Sequence, residues 1–265
     1  MKIPRDYKEF LKWFKSETET SWRNISRSDT DDNYYWIKDA KWIGLKEDEI
    51  EKIENKYNIS FTSEHREFLK VLHAIDKKEP VEYYNDEDEI IIKPTPFFYN
   101  WLVDEEEIKR YLNWPFNQIL KDVKDGAWLN SWVERPKSEI EVEKIFASWY
   151  NGAPKLIPIH SHRFVVNLPN QLTSPVLSIY GADTIVYGWD MKHYLLSELG
   201  QFLDVNESVY DDEDKCWYPE PIQELKNFMN NVWAMNEQKG VPIWNELIEY
   251  ACPNWKYTPF GTVEK

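Results

Sequence analysis

Residues 154–203 constrain the fold more than any other stretch of the chain: PKLIPIHSHRFVVNLPNQLTSPVLSIYGADTIVYGWDMKHYLLSELGQFL. Short β-branched and aromatic runs at 156–159, 163–168, 176–180 and 185–189 are bounded by Pro, Gly, Asn and Asp, which is the pattern of strands. Only Gly181, Ala182, Asp183 and Thr184 separate the last two, too few residues for a crossover helix, so these two should form an antiparallel hairpin. Asp190 stands where a helix N-cap is wanted. Behind it Met191, Leu195, Leu196, Leu199, Phe202 and Leu203 recur at helical spacing, and this helix is expected to lay its apolar stripe on the sheet. The stretch supplies no nucleophile motif, phosphate loop or metal cage, which points to a binding scaffold and leaves the partner open.

A single body of 265 residues is the expectation, because the chain has no linker long enough to separate domains. Hydrophobic residues make up 42% of it and aromatics 16%, enough apolar surface to drive burial of a sizeable core. The net charge of −15 argues against direct nucleic-acid binding, since phosphates repel such a surface, and favours a basic partner. Cys216 and Cys252 lie far apart and form no CxxC pair, so neither a disulfide framework nor a zinc site is indicated. No cofactor is expected. The opening residues MKIPRDYKEF lack the apolar core of a signal peptide, and no run approaches the roughly 18 apolar residues of a membrane span. The expectation is a cytoplasmic protein that does not touch membranes.

Tyr7, Phe10, Leu11 and Phe14 fall on one face of a helix at 5–14, while 16–33 is polar and reads as a loop. In WIGLKEDEIEKIENKYNISFTSEHREFLKVLHAID, residues 42–76, Ile50, Ile53 and Tyr57 give one amphipathic helix and Asn58 stops it. Thr62 or Ser63 caps a second helix, which buries Phe68, Leu69 and Leu72. The Trp42–Gly44–Leu45 opening, the acidic helix and the following Glu–Phe–Leu helix resemble the SUKH superfamily, named for cell-wall regulators of the Smi/Knr kind and their bacterial relatives. A second block is similar to the same family: Leu156, Ile157, Pro158, His162, Arg163 and Phe164, then Pro175, Val176, Ser178, Asp183, Ile185, Tyr187 and Gly188. Lys46 stands where that family commonly has a capping Ser or Thr, and between the blocks only Trp–x–x–Arg–Pro, residues 132–136, is shared.

The resemblance implies an α+β fold, a mainly antiparallel twisted sheet with helices packed on it. The core would span about 41–203, with a helical extension at about 1–40 and closing helices at about 204–265. It also implies a non-catalytic protein-binding module, in bacteria an immunity protein of a polymorphic toxin system that blocks a cognate toxin domain. An acidic inhibitor would suit a basic, nuclease-type toxin, whose cationic surface it could occupy. The motif residues Trp42, Gly44, Leu45, Pro158, His162, Arg163, Ser178, Asp183, Tyr187 and Gly188 would be structural.

Elsewhere, 89–92 suggests a strand, 105–112 and 115–123 two helices, and 139–149 a helix able to bury Ile140, Ile145 and Phe146. Residues 204–214 read as an acidic loop, with closing helices at 220–235 and 242–251. His160 and His162, two apart in a strand, would share a face and could offer two metal ligands, but no third follows at a useful spacing. A sheet histidine is more commonly held by hydrogen bonds. A hydrolase using paired carboxylates on a sugar stacked against Trp is the alternative from another class, although no pair can be singled out among 47 acids. A general regulatory scaffold is a third reading. Ser178 lacks the Gly–x–Ser–x–Gly elbow, and with 8 Gly the chain has no phosphate loop. Of the acidic runs at 86–89, 104–107 and 211–214, most should be solvated surface. Asp211, Asp212, Glu213 and Asp214 are the ones expected to meet a basic partner.

Overall fold

The computed structural model describes residues 3–26, 32–85, 88–236, 240–251, 255–258 and 261–264. Helix α1, Tyr7–Asn24, leads through a 3-10 turn at Asp32–Ile37 to the short strand β1, Trp42–Ile43. Then come α2 (Glu47–Tyr57), α3 (Ser63–Leu72), β2 (Ala74–Ile75) and the hairpin of β3 (Lys78–Tyr84) with β4 (Ile90–Pro96). Helices α4 (Glu105–Lys124) and α5 (Glu139–Gly152) precede the largest sheet, β5 (Leu156–His160), β6 (Arg163–Val166), β7 (Val176–Tyr180) and β8 (Asp183–Gly188). Helix α6 (Met191–Leu199), the hairpin of β9 (Asn206–Asp211) and β10 (Cys216–Pro221), helices α7 (Gln223–Asn236) and α8 (Trp244–Ala251), and strands β11 (Trp255–Thr258) and β12 (Gly261–Glu264) complete the order. Every strand pairing is antiparallel and β5 to β8 are neighbours in sequence order, so the fold is α+β with meander sheets.

The four-stranded sheet is covered on both faces. Ile157, Ile159, Val165 and Val176 pack into one core with Phe68 of α3, Phe10 and Phe14 of α1, and Tyr194, Leu195 and Leu199 of α6. Phe164, Val166, Leu177, Ile179 and Val186 pack into a second core with Ile119 of α4, Phe146 of α5 and Trp244 of α8. Asp190 caps α6 as expected, its Oδ1 accepting the His193 N–H at 2.7 Å. The hairpin turn is Gly181–Ala182, tighter than the four-residue reading; Gly181 takes φ +64, and Asp122 of α4 accepts the Ala182 N–H at 2.6 Å.

The first sequence block folds as its residues imply. Asn58 ends α2 in the left-handed region, Thr62 caps α3 and Phe68, Leu69 and Leu72 are buried. At Lys46 the box is half kept: the Glu49 carboxylate accepts the Lys46 N–H at 2.7 Å. Trp42 is a hub, its Nε1 donating to Thr18 Oγ1 at 2.8 Å while its ring meets Trp22 and Phe98. Gly44 lies so close to α3 that a Cβ there would run into the Lys70 carbonyl, and the Leu45 N–H donates to the Leu69 carbonyl at 2.9 Å.

Four expectations are corrected. Residues 16–24 are not a loop but the continuation of α1, because Thr18 and Trp22 are buried on the same face as Phe14, and Thr18 satisfies its hydroxyl on the Phe14 carbonyl at 2.7 Å. Residues 105–124 form one helix rather than two. Pro115 offers the Tyr111 carbonyl no donor, yet Ile108, Ile119 and Val123 are buried on both sides of it and hold the helix through the gap. In α5 the buried pair is Val142 and Phe146, while Ile140 is 69% exposed, since it falls outside the stripe that faces the sheet. Residues 204–214 are not a loop throughout: 206–211 form strand β9, which pairs residue by residue with 216–221, so Glu220 and Pro221 belong to β10 and not to the closing helix. The strand at 89–92 is present as β4, with β3 as its partner.

Leu195 and Leu199 are 0% and 1% exposed under the sheet. Replacing either by Ala should cost about 2–5 kcal/mol in denaturant unfolding, and near-neutral values at both would contradict this packing. Gly44→Ala should destabilise by more than about 1 kcal/mol, whereas Gly152→Ala, where a Cβ meets nothing within 4 Å, should be neutral or stabilising.

Candidate functional site

Three of the motif residues, Arg163, Ser178 and Tyr187, converge on the sheet face toward α6. The Arg163 guanidinium donates to Ser178 Oγ at 2.9 Å and lies 4.0 Å from the centre of the Tyr187 ring. Its Nε is 3.8 Å from the Glu198 carboxylate, too far for a hydrogen bond but close enough for charge attraction in a partly dry site. His160 Nδ1 is 3.3 Å from the other Glu198 oxygen, and the His160 ring stacks on Phe97 at 4.0 Å. Burial pushes the Glu198 carboxyl up, but His160, Arg163 and Tyr187 outweigh it and hold it below the ordinary range. Glu79 of β3 shows the opposite balance: burial and the Glu198 charge push it up against the pull of His160.

Chemically this cluster is a tie between β3, β5, β6, β7, β8 and α6. Glu198 is engaged by the Arg163 guanidinium, the His160 imidazole and the Tyr187 phenol. Sequence reading passed over Glu198, although the signal was present: positions 191, 195 and 198 recur at helical spacing, so an acid at 198 sits on the buried stripe. Phe97 carried no such signal.

His162 does not share a face with His160. Strand β5 ends at His160 with a register shift, Ser161 takes φ +44, and His162 turns toward Tyr180, 6.3 Å between ring centres. Burial, then the charges of Arg163 and His160, hold the His162 imidazole at about 4, so it is neutral at pH 7. Among the described residues no three His, Cys, Asp or Glu side chains gather as metal ligands. Cys216 is a free, half-buried thiol, and Cys252 lies outside the described residues. The remaining motif positions are structural in placement: Pro158 is buried opposite Phe164, Asp183 opens β8, and a Cβ on Gly188 would come within 2.8 Å of the Tyr194 amide of α6.

The acidic residues fall in two different settings. Asp104 is buried, accepting the Asn100 N–H at 2.9 Å and Lys78 Nζ at 2.8 Å, and Glu105 and Glu107 pair with lysines. Of the run at 86–89, Asp86 and Glu87 lie outside the described residues. Asp211 to Asp214 form the tip of the β9–β10 hairpin. Asp211 Oδ1 accepts the Glu213 and Asp214 N–H groups at 2.8 and 3.0 Å, and Asp214 accepts the Tyr218 hydroxyl at 2.9 Å, so these two acids hold the turn while Asp212 and Glu213 are exposed. The same ribbon exposes Val209, Tyr210, Trp217 and Tyr218; Trp217 is 66% exposed and pairs across the strands with Tyr210 at 5.3 Å between rings. At its foot Glu220, Pro221, Gln223, Lys226, Met229 and Asn230 line an open groove of about 490 Å³.

A second buried acid joins the two sequence blocks. Glu64 of α3 accepts the Ser174 N–H at 2.7 Å and the Met191 N–H at 3.2 Å. Burial and the nearby Asp190 charge push its carboxyl up to about 8 despite those two donors. Beside it His65, buried, is held down to about 3. No family model, curated protein or solved structure matches the chain. Among the described residues no helix is long and apolar enough to cross a membrane.

An acid whose pKa rises on folding contributes its full stability below the unfolded value, here 4.5, and loses it as pH climbs toward about 8. His65 acts oppositely, costing stability as pH falls from 6.5 toward 3. Glu64→Gln should therefore remove the loss on the alkaline side: the stability difference between variant and parent should shift in the variant's favour by a few kcal/mol between pH 4.5 and 8. Chemical denaturation across that range measures it, and a constant difference would refute it.

Proposed function

We propose that the protein is a non-catalytic binding module that captures a cationic protein domain through the β9–β10 hairpin. The observation that carries this reading is the hairpin itself, which sets Trp217, Tyr210, Tyr218 and Val209 in solvent next to the exposed acids Asp212 and Glu213. Aromatic anchors flanked by charge suit an interface, because the rings supply contact area and the carboxylates steer a basic surface toward it. The groove at the foot of the ribbon adds room for a side chain of the partner. Together with the resemblance of the two sequence blocks to SUKH proteins, this supports a cytoplasmic immunity protein that neutralises a basic toxin domain, such as a nuclease, by occupying its cationic surface. No catalytic group, cofactor or metal takes part.

The first test is co-purification with the product of the adjacent open reading frame, followed by stopped-flow association with that product. Asp212→Asn combined with Glu213→Gln removes exposed charge and spares the two acids that hold the turn. It should slow association and flatten its salt dependence, since screening at 1 M salt shortens the Debye length to about 3 Å from roughly 10 Å at 0.1 M. Unchanged kinetics at low salt would reduce the hairpin tip to solvated surface.

A further inference from the structure

The β3–β4 hairpin carries three consecutive isoleucines on its outer strand, Ile90, Ile91 and Ile92, which are 58%, 47% and 63% exposed. Both strands of this ribbon pair only with each other among the described residues. A two-stranded ribbon is at best marginally stable in water, and a flat apolar edge is a template for another strand. The inner side of the hairpin is anchored, with β3 beside the 3-10 turn at Asp32–Ile37 and Lys78 bound to Asp104 at 2.8 Å. The outer edge of β4 is therefore the one left to pair.

The register shows which of its backbone groups point outward. The Asn85 N–H donates to the Glu89 carbonyl at 3.0 Å, so residues 85 and 89 face each other through hydrogen bonds. Alternation then makes Tyr84 opposite Ile90, Glu82 opposite Ile92 and Pro80 opposite Pro94 the pairs without mutual hydrogen bonds. Two prolines facing each other fit this phase, since neither has an N–H to give. The outward donors of β4 are thus Ile90 and Ile92, and Pro94 ends the row.

We infer that this edge pairs with the same edge of a second copy of the chain, about a two-fold axis at Ile91. In that antiparallel register Ile90 faces Ile92 of the second copy and Ile92 faces its Ile90, each pair exchanging two backbone hydrogen bonds. Charge complementarity selects this occupant. The same axis sets Glu89 opposite Lys93 of the second copy, and Lys93 opposite its Glu89, so two ion pairs flank the six isoleucines. Lys93 at present meets Glu107 at 3.2 Å in an exposed pair, which is weak enough to be exchanged or shared. The product is a four-stranded antiparallel sheet that runs across both copies and ends at Pro94 in each.

Sedimentation of the full chain over a range of micromolar concentrations tests the inference. The parent should dimerise. Ile92→Pro removes an outward N–H without touching a β3–β4 hydrogen bond and should leave a folded monomer by circular dichroism. Glu89→Lys and Lys93→Glu should each weaken self-association by about tenfold or more, because every dimer holds two such pairs, and the double variant should restore it. A parent that stays monomeric, a dimer that survives Ile92→Pro, or a double variant no better than the singles overturns the pairing. The charge-reversed set also guards against a proline variant that fails to fold.

Discussion

A sheet whose first strand is buried at four successive positions has no face to give to water, and the rest of the molecule follows from that. Leu156, Ile157, Pro158 and Ile159 are all buried, so β5 needs cover above and below. One face receives α1, α3 and α6 and the other α4, α5 and α8. Close approach of these layers explains two of the glycines. Gly188 allows the α6 backbone against β8, and Gly44 allows the chain against the end of α3. The order of layers is thus written into positions where a methyl group would not fit.

Sandwiching a sheet between helices also forces polar groups inside, and the two buried acids Glu198 and Glu64 are handled by different local devices. Glu198 is answered by Arg163, a buried charge facing an opposite one, with the His160 imidazole beside its other oxygen. Glu64 meets the backbone N–H groups of Ser174 and Met191, and its environment favours the neutral acid instead. The buried histidines His65, His73 and His193 are likewise pushed toward their neutral forms, His73 and His193 to about 4. Motif residues such as Arg163, Ser178 and Tyr187 belong to this internal chemistry. The hairpin tips, where partner choice would lie, are far more weakly determined by packing.

That division explains what the sequence made legible. Asn58, Thr62 and Asp190 act through their own backbone neighbourhood, so their roles could be read locally. The antiparallel hairpin of β7 and β8 was readable for the same reason, although its turn is two residues rather than four. Polar residues 16–24 could not be recognised as helix without knowing that Trp22 meets Trp42 and Phe202, contacts made far along the chain. Strand β9, Asn206–Asp211, looked like a loop because it has no polar–apolar alternation and none of its residues is buried. Pro115 signalled a break that tertiary packing overrode. In the site, the motif found Arg163, Ser178 and Tyr187 but not Glu198 of α6, Glu79 of β3 or Phe97, which follows β4.

One contact bears on how the molecule is made. The Ile3 N–H donates to the Glu224 carboxylate at 2.8 Å, and α1 buries Phe10, Leu11, Phe14 and Trp22 in the core that α6 and residues beyond it complete. Synthesis is vectorial, so α1 leaves the ribosome about 200 residues before Glu224, which at roughly 5–20 residues per second means a wait of roughly 10–40 s. For most of that interval the stripe can meet only its early partners, α3 and Trp42, while α6 and Phe202 are still to come. Helix α1 is thus among the last to be fully covered, and a holdase chaperone that shields the still-open part of its stripe would act on the nascent chain rather than on the finished protein.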